Sequence, residues 1–166
     1  IVITGMHHSF TAVETQLLAD IATTGGSFIF PVAAMSNVAQ GAAALSVLLV
    51  LKKDNKMKGI ASASGISALL GITEPAIFGV NLKLRYPFYG AMIGTAVSSA
   101  YIMLTKVLAL APGAAGLPGI ISIRPDSMIN YIIGMAISMA VAVASTIILS
   151  KTTAKTTAKK NNLEVA

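Results

Sequence analysis

The residue with the clearest chemical potential is a lone acidic side chain, Glu74. It is the only carboxylate over residues 55–125, and it interrupts an otherwise apolar stretch, 59–80. An ionised carboxylate accepts hydrogen bonds from two neighbouring hydroxyl groups at once, so Glu74 suits a polyhydroxyl ligand. The alternative is an interfacial carboxylate that caps a helix or pairs with Lys83 or Arg85.

Two adjacent histidines, His7 and His8, are the second candidate site. An imidazole donates or accepts a hydrogen bond and titrates near neutral pH. Adjacent helical residues point about 100° apart, so only one of the two is expected to face a given ligand. This spacing is poor for chelation, and no metal site is predicted. The alternative is a structural histidine bonded to the backbone.

The remaining charged residues near these sites have simpler interpretations. Glu14 and Asp20 are expected on a solvated or salt-bridged helix face, and Arg124 and Asp126 are expected to pair within a turn. The sequence contains no Gly-rich phosphate loop after a strand and no Ser/His/Asp set. No cofactor is predicted within these residues.

The elements that position these residues are apolar runs too long for a soluble domain. Residues 27–51, 86–105 and 127–150 carry no charge over 25, 20 and 24 residues. A helix needs about 20 mainly apolar residues to cross the hydrocarbon core. Charged residues make up only 11% of the chain, against about a quarter in soluble domains. Three transmembrane helices are therefore predicted, and a soluble enzyme is excluded.

The segments between these helices are predicted to enter the membrane without crossing it. Residues 59–80 form two short apolar arms around a polar tip, which favours a re-entrant hairpin over a full span. The three basic clusters, within 52–58, 83–85 and 151–160, then fall on one side, as the positive-inside rule favours. Residues 107–123 contain several Pro and Gly and are expected to be irregular or re-entrant near the outer face.

The fold class is therefore an all-α membrane protein, with transmembrane helices and re-entrant hairpin segments. Residues 1–150 are assigned to the transmembrane domain and 151–166 to a basic cytoplasmic tail with a frayed, solvated end. The basic residues cluster at the ends of apolar runs, which argues against nucleic-acid binding. The start at Ile1 favours the C-terminal part of a longer protein.

Two blocks of sequence resemble a known family, the membrane-spanning C domain (EIIC) of bacterial phosphotransferase-system sugar permeases in the glucose superfamily. The first block is Gly71-Ile72-Thr73-Glu74-Pro75-Ala76-Ile77-Phe78-Gly79, continued by Asn81-Leu82-Lys83-Leu84-Arg85-Tyr86-Pro87-Phe88. The second is Thr4-Gly5-Met6-His7-His8-Ser9-Phe10, followed by Glu14 and Leu17-Leu18. The second block looks most like the sucrose branch, with trehalose and amino-sugar branches close.

The resemblance implies a sugar permease whose substrate is phosphorylated on entry by a phosphocysteine of a cytoplasmic EIIB domain. It implies substrate binding by Glu74, Thr73 and His7 or His8, with His7 favoured slightly, and a catalytic role for Glu74 in orienting the reactive hydroxyl. The implied partners are the sugar, the EIIB domain, EIIA, HPr, enzyme I and the bilayer. The implied location is the bacterial inner membrane, as a homodimer through an N-terminal half.

The resemblance also implies what these residues lack. The chain contains no cysteine, so the phosphorylated B domain is not expected within it, and it is not expected to phosphorylate a sugar alone. Two other functions stay open: an ion-coupled secondary transporter, in which Glu74 or a histidine relays protons, and a non-transporting fragment or regulatory membrane piece.

Overall fold

The computed structural model describes residues 9–51 and 54–164, and the side chains of 154–164 are outside that description. Its α-helices are α1 (Ser9–Ala19), α2 (Ile21–Thr24), α3 (Ile29–Val50), α4 (Asn55–Leu69), α5 (Glu74–Ala76), α6 (Leu82–Leu84), α7 (Tyr86–Leu104) and α8 (Met128–Glu164). A π-helical turn, Ile77–Asn81, joins α5 to α6, and 3₁₀ turns at Leu117–Ser122 and Pro125–Ser127 precede α8.

Three helical segments are long and apolar enough to cross a membrane, by length and composition: Ile29–Val50, Tyr86–Leu104 and Pro125–Thr153. They coincide with the three predicted spans, and the all-α membrane class is confirmed. The expected frayed end was wrong for the backbone, because α8 continues without a break to Glu164. No Gly or Pro follows Gly134, so nothing in the sequence stops this helix.

The helix α3 is the centre of the bundle and packs against α4, α7 and α8. Its many small residues are buried, including Ala34, Ala39 and Ala43 at 0% exposure. The helices α7 and α8 also approach closely. A side chain at Gly94 would press on Ala142, so the absence of a side chain there permits this close approach.

The residues between α3 and α7 form a helical hairpin. Its outgoing arm is α4, its tip is residues 70–73, and its return arm (74–84) consists of α5, the π turn and α6. The arms run antiparallel, because a side chain at Gly79, late in the return arm, would meet Ile60, early in α4, at 3.5 Å. The two-armed hairpin predicted for 59–80 is therefore present, and both of its arms are helical.

The hairpin begins and ends at one side of the bundle. Leu51, at the end of α3, and Tyr86, at the start of α7, pack against the same cluster as Met57. The basic residues Lys58 and Lys83 consequently lie at the same end of the hairpin. This return matches the topology that the positive-inside rule favoured.

The α7–α8 connection (residues 105–127) is irregular, as predicted, and lies at the other end of the bundle. Backbone N–H and C=O groups of Ser27 and Ala109 bond reciprocally at 2.8 Å, and Leu110 N–H donates to Ser122 O at 2.8 Å. These short bridges fix the connection against the start of α3. Buried Val107 and Ile123 then pack with Phe30 in the largest apolar cluster of the described residues.

Candidate functional site

Glu74 is the first residue of the return arm, immediately after the hairpin tip. Its side chain is exposed, and no hydrogen bond or ion pair engages the carboxylate within residues 9–51 and 54–164. Lys83 lies nine residues further along the arm, about 14 Å away at 1.5 Å per residue. The pairing of Glu74 with Lys83 or Arg85 is therefore not present, and among the described residues nothing competes with a ligand for the carboxylate.

Thr73 sits beside Glu74 but is buried, with 6% of its surface exposed. Its carbonyl accepts a hydrogen bond from Ile77 N–H at 2.9 Å, which begins the return arm. Its hydroxyl forms no cap hydrogen bond at the start of α5. Pro75 follows in the first turn, where the missing N–H costs nothing. Thr73 therefore anchors the backbone, and Glu74 presents the accessible polar group.

The tip folds back on the end of α4. Ile72 N–H donates to Ser67 O at 3.0 Å, and the Ser67 hydroxyl donates to Ile72 O at 3.1 Å. Gly71 has a φ of 107°, a conformation that side-chain-bearing residues rarely adopt. The glycine of the motif is thus explained by the sharp turn that precedes Glu74.

The tip meets α3 at Asn37. The Asn37 Nδ2 donates to Ala115 O at 2.6 Å and lies 3.5 Å from Gly71 O. Asn37 is the ninth residue of α3, so this contact lies about 12 Å from the start of the helix. If α3 spans the bilayer, the tip lies well inside the hydrocarbon region, where irregular backbone must be buried in protein or line a cavity.

The α7–α8 connection completes the support of the tip. A side chain at Gly116 would collide with Leu69 O and approach Gly71 N, so the two backbones are in direct contact. The Tyr131 hydroxyl donates to Gly116 O at 3.0 Å, and Tyr131 is 0% exposed. Two irregular segments therefore meet inside the bundle, with one phenol from α8 fixing their contact.

The return arm is bonded to α3 through two side-chain amides, those of Asn81 and Gln40. Asn81 Nδ2 donates to Gln40 Oε1 at 2.6 Å and to Gln40 O at 3.1 Å. Both side chains are buried. Asn37 and Gln40 therefore both bond to protein groups, which avoids the cost of exposing a bare amide to lipid.

The outgoing arm contacts α3 directly. A side chain at Gly41 would meet Gly65 O at 2.9 Å, so no side chain separates the two backbones there. All three parts of the hairpin therefore touch one short stretch of α3.

The other predicted residues lie elsewhere. His7 and His8 are outside the described residues. Glu14 is partly buried and accepts a hydrogen bond from the Ser27 hydroxyl at 3.2 Å, so it is not simply solvated. The local pairing of Arg124 with Asp126 is confirmed at 3.6 Å.

Sequence reasoning missed Asn81 and Tyr131. An amide within an apolar arm was a usable signal for Asn81. Nothing in the sequence distinguished Tyr131 from other aromatic residues of the spans.

Most residues of this site lie in the part of the chain that matches a known family. The family model described as "Phosphotransferase system, EIIC" matches residues 1–96, more than half of the 166-residue chain. The chain belongs to the phosphotransferase system EIIC family. The match includes α3, the whole hairpin with Glu74, and the His7–His8 block. The family and the spanning helices together make this chain part of a membrane protein.

Similar proteins carry sugar-specific names. The chain is 72% identical over 134 residues to a "PTS system sucrose-specific EIIBC component" of Vibrio alginolyticus, covering 81% of this chain and 28% of the relative. A sucrose-specific EIIBC component of Staphylococcus xylosus is 64% identical over 137 residues, with the same coverage of each chain. A trehalose-specific EIIBC component of Bacillus subtilis is 51% identical over 136 residues, covering 82% and 28%. No solved structure matches this chain.

The chain spans less than a third of the length of these relatives. Its family membership makes the chain part of a phosphotransferase-system component.

Proposed function

We propose that this chain binds and translocates a sugar in a phosphotransferase-system permease, with Glu74 as the substrate-binding carboxylate. The single observation that carries the proposal is the free carboxylate of Glu74 on a hairpin tip that reaches the level of Asn37. A charge at that depth is costly and is expected to serve a ligand or a pathway. The carboxylate accepts hydrogen bonds from vicinal hydroxyl groups, which is the arrangement that a sugar offers.

The first proposed substrate is sucrose. Two relatives named as sucrose-specific are 72% and 64% identical to this chain, whereas the relative named as trehalose-specific is 51% identical. Trehalose or a related glucoside or amino sugar is the competing substrate. His7 and His8, with Thr73, are proposed to complete the sugar site around Glu74.

The proposed reaction transfers a phosphoryl group from a cysteine of the EIIB domain to a sugar hydroxyl. The S–P bond breaks, an O–P bond forms, and the hydroxyl proton leaves. Phosphoryl transfer depends mostly on positioning and electrostatics, so Glu74 is assigned the orientation of the reacting hydroxyl. The cysteine comes from the EIIB domain, because this chain has none.

The relatives are named EIIBC or EIIBCA components, which supports EIIB and EIIA as partners. HPr and enzyme I are proposed upstream of them, and a homodimer is proposed as the assembly. The proposed location is the bacterial cytoplasmic (inner) membrane, with several spans. The lysines at the base of the hairpin then face the cytoplasm, where EIIB approaches the sugar.

The test uses a chimera in which this sequence replaces the matching segment of the Vibrio alginolyticus relative. Vesicles are assayed for phosphoenolpyruvate-dependent phosphorylation and uptake of sucrose, trehalose, maltose and a β-glucoside. The chimera is expected to act on sucrose. The Glu74→Gln variant is expected to lose about 10- to 100-fold in activity, since hydrogen bonds to a charged group contribute about 1.5–3 kcal/mol.

The matched control removes a different carboxylate. Asp126→Asn is expected to change activity by no more than about twofold, because Asp126 is exposed and pairs only with Arg124 at the other end of the bundle. Normal activity of Glu74→Gln would make Glu74 structural. Uptake that needs a proton gradient instead of the phosphotransfer proteins would favour the secondary transporter.

A further inference from the structure

The segment that carries Glu74 is supported by few side chains. The Asn37 amide donates to Ala115 O at 2.6 Å, and the same nitrogen lies 3.5 Å from Gly71 O. A side-chain amide has two N–H donors, so one residue of α3 serves a carbonyl on each of the two irregular segments. The bond to Ala115 is the stronger of the two by its length.

The two segments depend on each other as well as on Asn37. Gly116 packs so closely on Leu69 and Gly71 that an added methyl group would separate them. Gly116 O is in turn held by the hydroxyl of buried Tyr131 at 3.0 Å. The tip therefore rests on a backbone surface whose position is set by Asn37 from α3 and by Tyr131 from α8.

The distance from this support to the site is short. Only Ile72 and Thr73 separate Gly71 from Glu74, and Thr73 is buried, so little slack is available between them. A shift of the Gly71 carbonyl is consequently transmitted to the Glu74 backbone. Misplacement of a binding group by about 1 Å is enough to weaken a site strongly.

We infer that Asn37 is a positioning residue for Glu74, acting by holding the α7–α8 connection and the hairpin tip in one arrangement. The inference deepens the proposed function, on which it rests. The affinity of Glu74 for the sugar then depends on an amide that does not touch the sugar. The inference also assigns a role to residues 115–116, whose backbone atoms contact Asn37, Tyr131 and the hairpin tip.

The kinetic test compares Asn37→Leu with the unmodified chimera. Leu keeps the branched shape of Asn and its number of side-chain heavy atoms but has no donor, so the Ala115 carbonyl loses its partner. The KM for the sugar is expected to rise about tenfold, with a smaller change in kcat, since one lost hydrogen bond is equivalent to about a factor of ten. Asn37→Gln keeps the N–H donors and is expected to restore part of the affinity.

The matched control is Ser46→Ala, also on α3. The Ser46 hydroxyl is buried and donates only to Ala43 O of its own helix at 2.6 Å. This variant is expected to leave KM unchanged. A second variant, Gly116→Ala, separates the two segments without altering Asn37, and it is expected to raise KM in the same direction.

A second readout measures the tip itself. Because this chain has no cysteine, a nitroxide at Ile72→Cys reports on one position once the other cysteines of the chimera are changed to serine. Ile72 is 59% exposed, so the label fits there. Asn37→Leu is expected to increase label mobility at Ile72→Cys and to leave it unchanged at Ile148→Cys, on the exposed side of α8.

The outcomes separate this inference from the proposed function. A chimera that phosphorylates no sugar overturns the proposed function, and the label mobility then still decides the role of Asn37. An active chimera in which Asn37→Leu changes neither KM nor mobility at Ile72 overturns the inference alone. Increased mobility at both labelled positions shows general loosening of the bundle, which also overturns the positioning role.

Discussion

The Asn81 side-chain amide donates to the Gln40 side-chain carbonyl at 2.6 Å, joining the return arm to α3 inside the bundle. Gln40 is three residues after Asn37, so the two amides share one face of α3. One of them holds the tip before Glu74 and the other holds the arm after it. The segment that carries the carboxylate is therefore bracketed by two polar contacts on a single spanning helix.

We expect the Gln40–Asn81 pair to stabilise the bundle by about 1 kcal/mol, in the range found for hydrogen bonds between membrane helices. Asn81→Leu leaves the Gln40 amide oxygen without its donor, and Gln40→Leu leaves Asn81 with only a backbone acceptor. The double variant is expected to lose less stability than the sum of the two single losses, because either change alone already removes the contact. The measurement is a double-mutant cycle of unfolding free energies in detergent.

The control for this cycle is Ser46→Ala combined with Asn81→Leu, because Ser46 bonds only within α3. Those two changes are expected to be additive. A coupling energy of zero between Gln40 and Asn81 would show that the 2.6 Å contact contributes nothing to stability.

We expect two of the hairpin glycines, Gly59 and Gly71, to respond to alanine in opposite directions. Gly71 has a φ of 107°, and a side chain there would meet the Ala115 backbone at 3.3 Å, so Gly71→Ala stores backbone strain of order 1–3 kcal/mol. Gly59 lies within α4 with nothing inside 4 Å of an added Cβ. Gly59→Ala is therefore expected to stabilise the helix by about 0.5–1 kcal/mol.

Thermal unfolding of the two variants in detergent measures this difference, and sugar KM measures its effect on the site. Gly71→Ala is expected to lower stability and raise KM, because the strained turn leads directly to Glu74. Gly59→Ala is expected to leave KM unchanged. Equal stability of the two variants would mean that the turn at Gly71 is not the conformation of the protein in the membrane.

The spans and the hairpin could be predicted from the sequence because the cost of charge in lipid acts on every residue of a run. The lone carboxylate at Glu74 stood out for the same reason. The contact of the tip with residues 115–116 was not predictable, because it joins backbone atoms of segments far apart in the chain. Pro and Gly in the 107–123 segment indicated irregular backbone but carried no information about which residues that backbone contacts.

The end of α8 shows a different limit of prediction from the sequence. A basic, polar tail following a span was expected to fray, yet the helix continues to Glu164. Polarity indicates where a chain leaves the membrane, whereas helix continuation depends on backbone propensity, and no Gly or Pro opposes it there. In α8, the polarity of the sequence and the end of the helix therefore change at different residues.

We expect Lys56 and Lys83 to face the same side of the membrane, because the two arms of the hairpin return to one end of the bundle. Single cysteines at Lys56→Cys and Lys83→Cys are introduced into the chimera whose other cysteines are changed to serine. They are reacted with a membrane-impermeant thiol reagent in inside-out and right-side-out vesicles, and compared with the cysteine-free chimera. Both are expected to react only in inside-out vesicles, since basic loops stay in the cytoplasm. Asp126→Cys, at the opposite end of the bundle, is the control and is expected to react only in right-side-out vesicles. Reaction of Lys56→Cys and Lys83→Cys from opposite sides would make the hairpin a full crossing, and the Glu74 segment would then lie in a different topology.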